Sequence, residues 1–179
     1  MRLTNTHFAF AAAIAALGMT GIVGWAVGNP FLQGTYAEGV VPMQPATGVA
    51  CIGWAWRWLL RCSGKAHGFV DGIVPTVLVF ALLGYIEPSS APETVGHNVP
   101  SLGTVLGFLV ALLPASRAII ITLGSLSSLA IVGHVTGDPR LYFYFPSYCT
   151  GMAITTAVAL LTIAAAKIYR LHDRPGAKS

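Results

Sequence analysis

The sequence predicts an all-α polytopic membrane protein: six transmembrane helices arranged as three repeated helical hairpins, with both termini cytoplasmic. Composition is the first observation, because the 179 residues are 55% hydrophobic and only 9% charged, whereas soluble domains carry about 25% charged residues. The second is a series of six apolar segments, and the third is a one-sided distribution of Lys and Arg. The length suits a single transmembrane domain over residues 1–179.

The six apolar segments have lengths close to the thickness of a bilayer. They lie at roughly 8–28, 46–61, 70–86, 100–114, 118–136 and 148–168. A transmembrane helix needs about 20 residues, with a range of about 17–25, so the second and fourth segments must borrow flanking residues. The first segment follows Arg2 as a secretory signal would, but its apolar run is long enough to span, and we predict a first transmembrane helix. Thr47 and Ser101 are predicted helix caps.

The basic residues orient these segments. With the N-terminus inside, the inner side holds nine of the ten basic residues: Arg2, Arg57, Arg61, Lys65, Arg117, Lys167, Arg170, Arg174 and Lys178. The positive-inside rule therefore predicts a multi-pass protein of the bacterial cytoplasmic (inner) membrane, with both termini inside. The net charge of +4 is explained by this topology, and no nucleic-acid partner is predicted.

An internal repeat underlies the six segments. The stretches "GIVGWAVG", "FALLGYIE" and "AIVGHVTG" align on Gly24, Gly84 and Gly133. After a polar outer loop, the following helix starts align on Gly48, Gly103 and Gly151. This pattern predicts three hairpins of one design, at about 8–61, 70–114 and 118–168.

His134 stands in the same column of this repeat as Trp25 and Tyr85. Both of those residues favour the membrane–water interface, which predicts that His134 is a boundary residue near the outer surface. Two alternatives stay open, a haem or chlorophyll ligand and a protonatable sensor. Haem in a bundle normally takes two axial histidines, and in this topology His97 is the one histidine on the same side. No cofactor is predicted, with haem or chlorophyll as the alternative.

The stretch "WAWRWLLR" at 54–61 carries a candidate site for lipid or a partner. Arg57 and Arg61 lie one helical turn apart, with Trp54 and Trp58 beside them. Two guanidinium groups at this spacing can grip one anionic head group. The alternative is an aromatic belt with snorkelling arginines at the inner interface.

Two pairs of glycines have the spacing of close helix contacts, Gly24 with Gly28 and Gly103 with Gly107. Small residues four apart let helices approach closely. We predict packing within the bundle, with docking of a partner subunit as the alternative.

The sequence holds no recognisable catalytic arrangement. Asp71 and Glu87 lie at the ends of apolar segments, so no pair of carboxylates stands at mid-membrane as a proton-coupled transporter would need. HExxH, P-loop and GxSxG motifs are absent from the sequence. We predict no catalytic residue and no metal site, and not an enzyme.

Three stretches resemble a known family. "LLGY" at 82–85, "PATGVACIG" at 45–53 and "CTGMAITT" at 149–156 are similar to the multi-helix N-terminal membrane domain of bacterial sensor histidine kinases and diguanylate cyclases. The resemblance spans most of the chain, but we expect neither a coiled-coil linker nor an output domain after "AKIYRLHDRPGAKS". It implies a sensor-like module working through a membrane partner.

These observations together predict a non-catalytic membrane protein that serves as an accessory or structural subunit of a larger membrane complex, or as such a sensor-like module. The expected partners are membrane lipids and other transmembrane subunits. A small transporter or channel is the alternative function, and a haem- or (bacterio)chlorophyll-binding subunit is a further one.

Overall fold

The described part of the chain is entirely helical. The computed structural model describes residues 4–36, 42–64, 72, 74–77, 101–142 and 151–172, and no strand occurs among them. Its helices are α1 (Asn5–Ala26), α2 (Pro45–Ser63), α3 (Leu102–Leu112), α4 (Arg117–Thr136) and α5 (Ile154–His172), with a 3-10 turn at Pro139–Leu141. Residues 72 and 74–77 are also helical.

Three of these helices, α1, α4 and α5, are long and apolar enough to cross a membrane. They contain 22, 20 and 19 residues, or about 28–33 Å at 1.5 Å per residue, against a hydrocarbon core of about 30 Å. α2 has 19 residues but falls outside this group, since its sequence includes three tryptophans and two arginines. α3 has 11 residues, which reach about 17 Å.

The six predicted spans are therefore only partly matched. The predicted spans 46–61 and 100–114 coincide with α2 and α3, neither of which qualifies as a spanning helix on its own. The predicted span 70–86 lies largely outside the described residues. The last helix begins at Ile154 rather than near 148, and it continues to His172.

Local sequence explains where the helices begin and end. Ser101 caps α3, because its Oγ accepts a hydrogen bond from the backbone N–H of Thr104 at 3.1 Å, as predicted. The predicted cap at Thr47 is wrong. α2 begins earlier, with Gln44 as N-cap and Pro45 in the first turn, where the missing N–H of proline costs little.

The helices pack as two antiparallel pairs with α3 beside them. α1 packs most extensively on α2, and α4 on α5, while α1 also contacts α5 and joins the two pairs. The fully buried side chains include Ile14 of α1, Phe108 of α3 and Leu160 of α5. α3 lies against α4 and α5, which brings its C-terminal end beside α2 and α5.

α1 and α2 approach each other closely at Gly18 and Gly48. A methyl group on Gly18 would lie 2.6 Å from the Gly48 carbonyl oxygen, and one on Gly48 would lie 2.7 Å from that of Gly18. Only hydrogen fits at both positions, so these two glycines set the separation of the two helices.

The four glycines predicted to pack helices have different surroundings. A methyl group on Gly107 would lie 2.5 Å from Leu160 Cδ1, so Gly107 lets α3 approach α5. Gly24 lies against the backbone of the turn that follows its own helix, and Gly103 is buried in α3. Gly28 has no described atom within 4 Å of an added methyl group and adopts φ +64, so it serves the turn after α1 rather than a helix contact.

The connections after α1 and after α4 share one hydrogen-bond pattern. The backbone N–H of Asn29 donates to Gly24 at 2.8 Å, and that of Asp138 donates to Gly133 at 2.9 Å. Further along, Met43 N–H donates to Gln33 at 2.7 Å, and Met152 N–H to Tyr142 at 3.0 Å. The equivalent residues are 109 positions apart throughout, as from Gly24 to Gly133 or from Met43 to Met152.

This shift corrects the predicted register of the repeat. Gly48 lies in the first turn of α2, whereas Gly151 precedes α5 by three residues, so the two glycines are not equivalent. The 109-residue shift instead pairs Gly48 with Ala157, and it carries the bounds of α2 onto those of α5. The predicted middle copy around Gly84 lies outside the described residues.

Candidate functional site

Four basic side chains meet at one end of the described bundle. Arg57 and Arg61 come from the last turns of α2, and Lys167 and Arg170 from the last turns of α5, and all four line one small cavity beside the end of α3. We call these four residues the cation cluster. Lys167 is 5% exposed, and the charges of all three arginines act on it.

Two members of the cation cluster hold the C-terminal end of α3. Arg57 Nη1 donates to the Leu112 carbonyl at 3.2 Å, and Lys167 Nζ donates to the Leu113 carbonyl at 2.6 Å. The last carbonyls of a helix have no partner within the helix and carry its negative dipole end. The cations therefore satisfy carbonyls that would otherwise be left without a donor.

Two tryptophans form a wall of the same cavity. The rings of Trp54 and Trp58 stack with centroids 5.3 Å apart, and the guanidinium of Arg170 lies 5.8 Å from the centre of the Trp58 ring, within cation–π range. Trp54 Nε1 donates to the Ala111 carbonyl at 3.2 Å. Trp58 is 4% exposed, and its Nε1 has no hydrogen-bond partner among the described residues.

The start of α1 lies against the other side of Trp58. The buried ring of His7 lies 5.9 Å from that of Trp58 and meets the edge of Tyr169 at 5.2 Å. His7 Nδ1 accepts a hydrogen bond from the backbone N–H of Thr4 at 3.3 Å. The first turn of α1 thus lies at the same end as the last turns of α2, α3 and α5.

The described lining of the cavity contains four basic groups and no carboxylate. Asp138, an acid within the described part of the chain, lies in the turn after α4, at the end of that helix away from the cavity. A cavity with this lining is suited to an anion rather than to a metal cation. Among the residues that the structure describes, no group of three His, Cys, Asp or Glu could hold a metal ion.

The opposite end of the bundle is organised around Trp25 and His134. Trp25 Nε1 donates to the Met43 carbonyl at 2.7 Å, and His134 Nε2 lies 2.8 Å from the Met152 carbonyl. A carbonyl oxygen only accepts, so Nε2 of His134 carries the proton and donates. The ring also stacks on Tyr142, with centroids 4.1 Å apart and planes 10° apart.

These contacts give His134 the same structural task as Trp25, namely holding the start of the next helix. A ring nitrogen that donates to a carbonyl is not available as an iron or magnesium ligand through that atom. His97, the predicted partner for a cofactor, lies outside the described residues.

Sequence reasoning found half of the cation cluster. The four residues predicted from the sequence line one cavity in the structure: Arg57, Arg61, Trp54 and Trp58. The structure adds Lys167 and Arg170 from α5 to the same cavity. One signal for the added pair was present, because the positive-inside rule places both on the side of Arg57 and Arg61. His7 was missed, since a single histidine just before an apolar run gives no indication of its contacts.

No protein-family model matches this chain, and neither a curated protein nor a solved structure matches it. Functional conclusions therefore rest on the chemistry of the two ends of the bundle.

Proposed function

We propose that this chain is a non-catalytic integral protein of the bacterial inner membrane that serves as an accessory subunit of a larger membrane complex. In this proposal the cation cluster binds a membrane lipid or an acidic segment of a transmembrane partner at the cytoplasmic surface. One observation carries it: four basic side chains from two helices converge on one cavity walled by Trp54 and Trp58. Clustered Arg and Lys at a membrane surface attract anionic groups.

The proposed topology has six spans with both termini in the cytoplasm. The cation cluster belongs inside by the positive-inside rule, and α1 begins at that same end while α5 ends there. α2 and α3 both end at the cluster. The proposed topology keeps the predicted span 70–86 between them, which completes three hairpins.

The side of α4 that faces away from its neighbours supports a role in assembly. Ile121 is 65% exposed and Val135 is 77% exposed, and both lie on a helix apolar enough to cross a membrane. Such a face suits lipid tails or the helix of a partner subunit.

The use of polar side chains supports a non-catalytic role. Trp25, His134, Arg57 and Lys167 each hydrogen-bond a backbone carbonyl near the start or end of a helix. These bonds position helices, and such roles do not require a reacting substrate.

Purification from native membranes in a mild detergent tests this function. We expect the wild-type chain to retain a stoichiometric membrane protein or an acidic lipid, identified by mass spectrometry. The double variant Arg57→Gln/Arg61→Gln should lose it. Arg140→Gln is the matched control, because Arg140 is exposed and lies in the turn at the opposite end. Identical compositions for all three preparations would contradict the proposal.

A further inference from the structure

We infer that the cavity between α2, α3 and α5 is a phosphate-binding site in which Lys167, Arg170 and the indole N–H of Trp58 act together with Arg57 and Arg61. This inference deepens the proposed function and rests on it for the position of the site at the membrane surface. It names the chemistry of the bound group and assigns Lys167, Arg170 and the indole N–H of Trp58 as ligands, of which the sequence analysis had named Trp58 alone, as a neighbour of the two arginines.

Unused hydrogen-bond donors surround the cavity. The ammonium group of Lys167 has three N–H donors, and its described hydrogen bond is the single one to Leu113. Arg170 has five donors in a fixed fork, and its described interaction is the cation–π contact with Trp58. Both residues line the cavity, so their remaining donors are available to a ligand.

Trp58 supplies a third, independent indication. Its Nε1–H is buried without a hydrogen-bond partner in the described structure, although an indole N–H usually finds one when buried. An unmade hydrogen bond at a buried donor costs about 1–3 kcal/mol. Trp58 lines the same cavity as the basic groups, so an acceptor bound there can satisfy it.

A phosphate fits this donor set better than a carboxylate does. Four basic groups and an indole N–H from two helices call for an acceptor with several oxygens that point in different directions. A phosphate offers these oxygens and up to two negative charges, and Arg binds it through two parallel hydrogen bonds. A carboxylate presents two oxygens in one plane.

The size of the cavity indicates where the phosphate binds. Its volume of about 30 Å³ holds about one water molecule. One phosphate oxygen therefore enters the cavity toward Lys167 and Trp58, and the rest of the group sits at the opening, where Arg61 and Arg170 are only half-buried. Both side chains are long enough to move around a ligand. The shared chemistry is a phosphate group, carried either by a lipid head group or by free phosphate.

Binding to the full-length purified chain in detergent tests the inference. The probes are a short-chain phosphatidic acid and inorganic phosphate, titrated separately at constant ionic strength, with native mass spectrometry or calorimetry as readout. We expect saturable binding of at least one probe. Tighter binding of the lipid identifies a head-group site, whereas equal or tighter binding of inorganic phosphate identifies a site for the free anion.

The variants separate the assigned ligands from general charge. Arg170→Gln should weaken binding about tenfold or more, as expected for a lost hydrogen bond to a charged group. Trp58→Phe should weaken binding severalfold, because it removes the indole N–H but keeps an aromatic ring. Arg117→Gln is the control, since Arg117 is an exposed arginine at the first turn of α4 and does not line the cavity. It should bind like wild type.

Absence of saturable binding for both probes overturns the inference, and so does an equal loss in Arg117→Gln and Arg170→Gln. If the wild-type chain binds neither probe but still co-purifies a membrane partner that Arg57→Gln/Arg61→Gln loses, the phosphate site fails and the proposed function stands. If phosphate binds but no partner or lipid is retained from membranes, the proposed function fails instead.

Discussion

Trp25 and His134 make the same hydrogen bond in two different connections. Each ring nitrogen donates to the backbone carbonyl of the methionine 18 residues further along the chain, Met43 for Trp25 and Met152 for His134. The bond ties the end of one helix to the residues just before the next helix. A tryptophan and a histidine can share this task because both present a flat ring with one N–H at its edge.

Removing the ring N–H should have similar consequences at both positions. We expect Trp25→Phe and His134→Phe each to lower the free energy of unfolding by about 1 kcal/mol, the usual net value of one hydrogen bond. His134→Tyr keeps an amphipathic ring that can stack on Tyr142 and should cost about 1 kcal/mol or less. Thermal unfolding in detergent measures all three.

Tyr36→Phe is the control for the ring variants, since Tyr36 is half-exposed and touches Phe31 rather than a helix start. It should unfold like wild type. The visible absorbance of the same preparations tests the cofactor alternative. We expect none in any of them, and a coloured wild type that bleaches in His134→Phe would contradict the boundary role.

The Gly18–Gly48 contact predicts a large effect from one methyl group. We expect Gly18→Ala to destabilise the chain by about 1–3 kcal/mol, because the added carbon overlaps a backbone carbonyl that cannot move aside. Gly124→Ala is the matched control, a glycine within α4 with no described atom within 4 Å of an added methyl group. Alanine there should be neutral or stabilising by up to about 1 kcal/mol.

The readout for the glycine pair is again thermal unfolding, with proteolysis rates as a second measurement. Equal stability of Gly18→Ala and Gly124→Ala would show that α1 and α2 do not approach each other through these glycines.

Capping of α3 connects helix stability with the cation cluster. Ser101→Ala removes the cap and a hydroxyl contact with Thr104, and we expect a cost of about 0.5–2 kcal/mol. Fraying of this 11-residue helix should also loosen the carbonyls that hold Arg57 and Lys167. Ser125→Ala, at an exposed position of α4, should change neither property.

Thermal unfolding and the phosphate titration test this prediction together. A Ser101→Ala chain that unfolds earlier and binds phosphate more weakly supports the link. A destabilised chain that binds phosphate like wild type would show that the cap at Ser101 does not affect the phosphate site.

Much of the helical layout could be predicted from the sequence, because apolar runs ended by Pro, Gly or Ser have a direct physical meaning. Ser101 was recognisable as a cap from its place before an apolar run. The register of the repeat was harder to predict, since Gly48 and Gly151 look alike in the sequence but only Gly48 lies in a helix. Gly24 and Gly28 have the spacing of a packing pair, yet spacing alone does not show that φ is positive at Gly28.

The candidate site, like the fold, could be predicted only in part. Arg57 and Arg61 were predictable as a pair because i,i+4 spacing places them on one face of one helix. Lys167 and Arg170 come from a helix more than 100 positions away. The 109-residue shift pairs Arg170 with Arg61, but the register predicted from Gly48 and Gly151 did not align them. The unsatisfied indole of Trp58 is a property of the packed bundle, so no single-sequence pattern could have indicated it.

Labelling of single cysteines tests most directly the central claim that the cation cluster lies at the cytoplasmic surface. In a chain without its native cysteines, Phe31→Cys marks the exposed turn after α1, and Arg117→Cys marks the end of the bundle with the cluster. An impermeant thiol reagent applied to bacterial spheroplasts should label Phe31→Cys, and it should label Arg117→Cys only after the membrane is opened. Labelling of Arg117→Cys in intact spheroplasts would place the cluster outside and contradict the account.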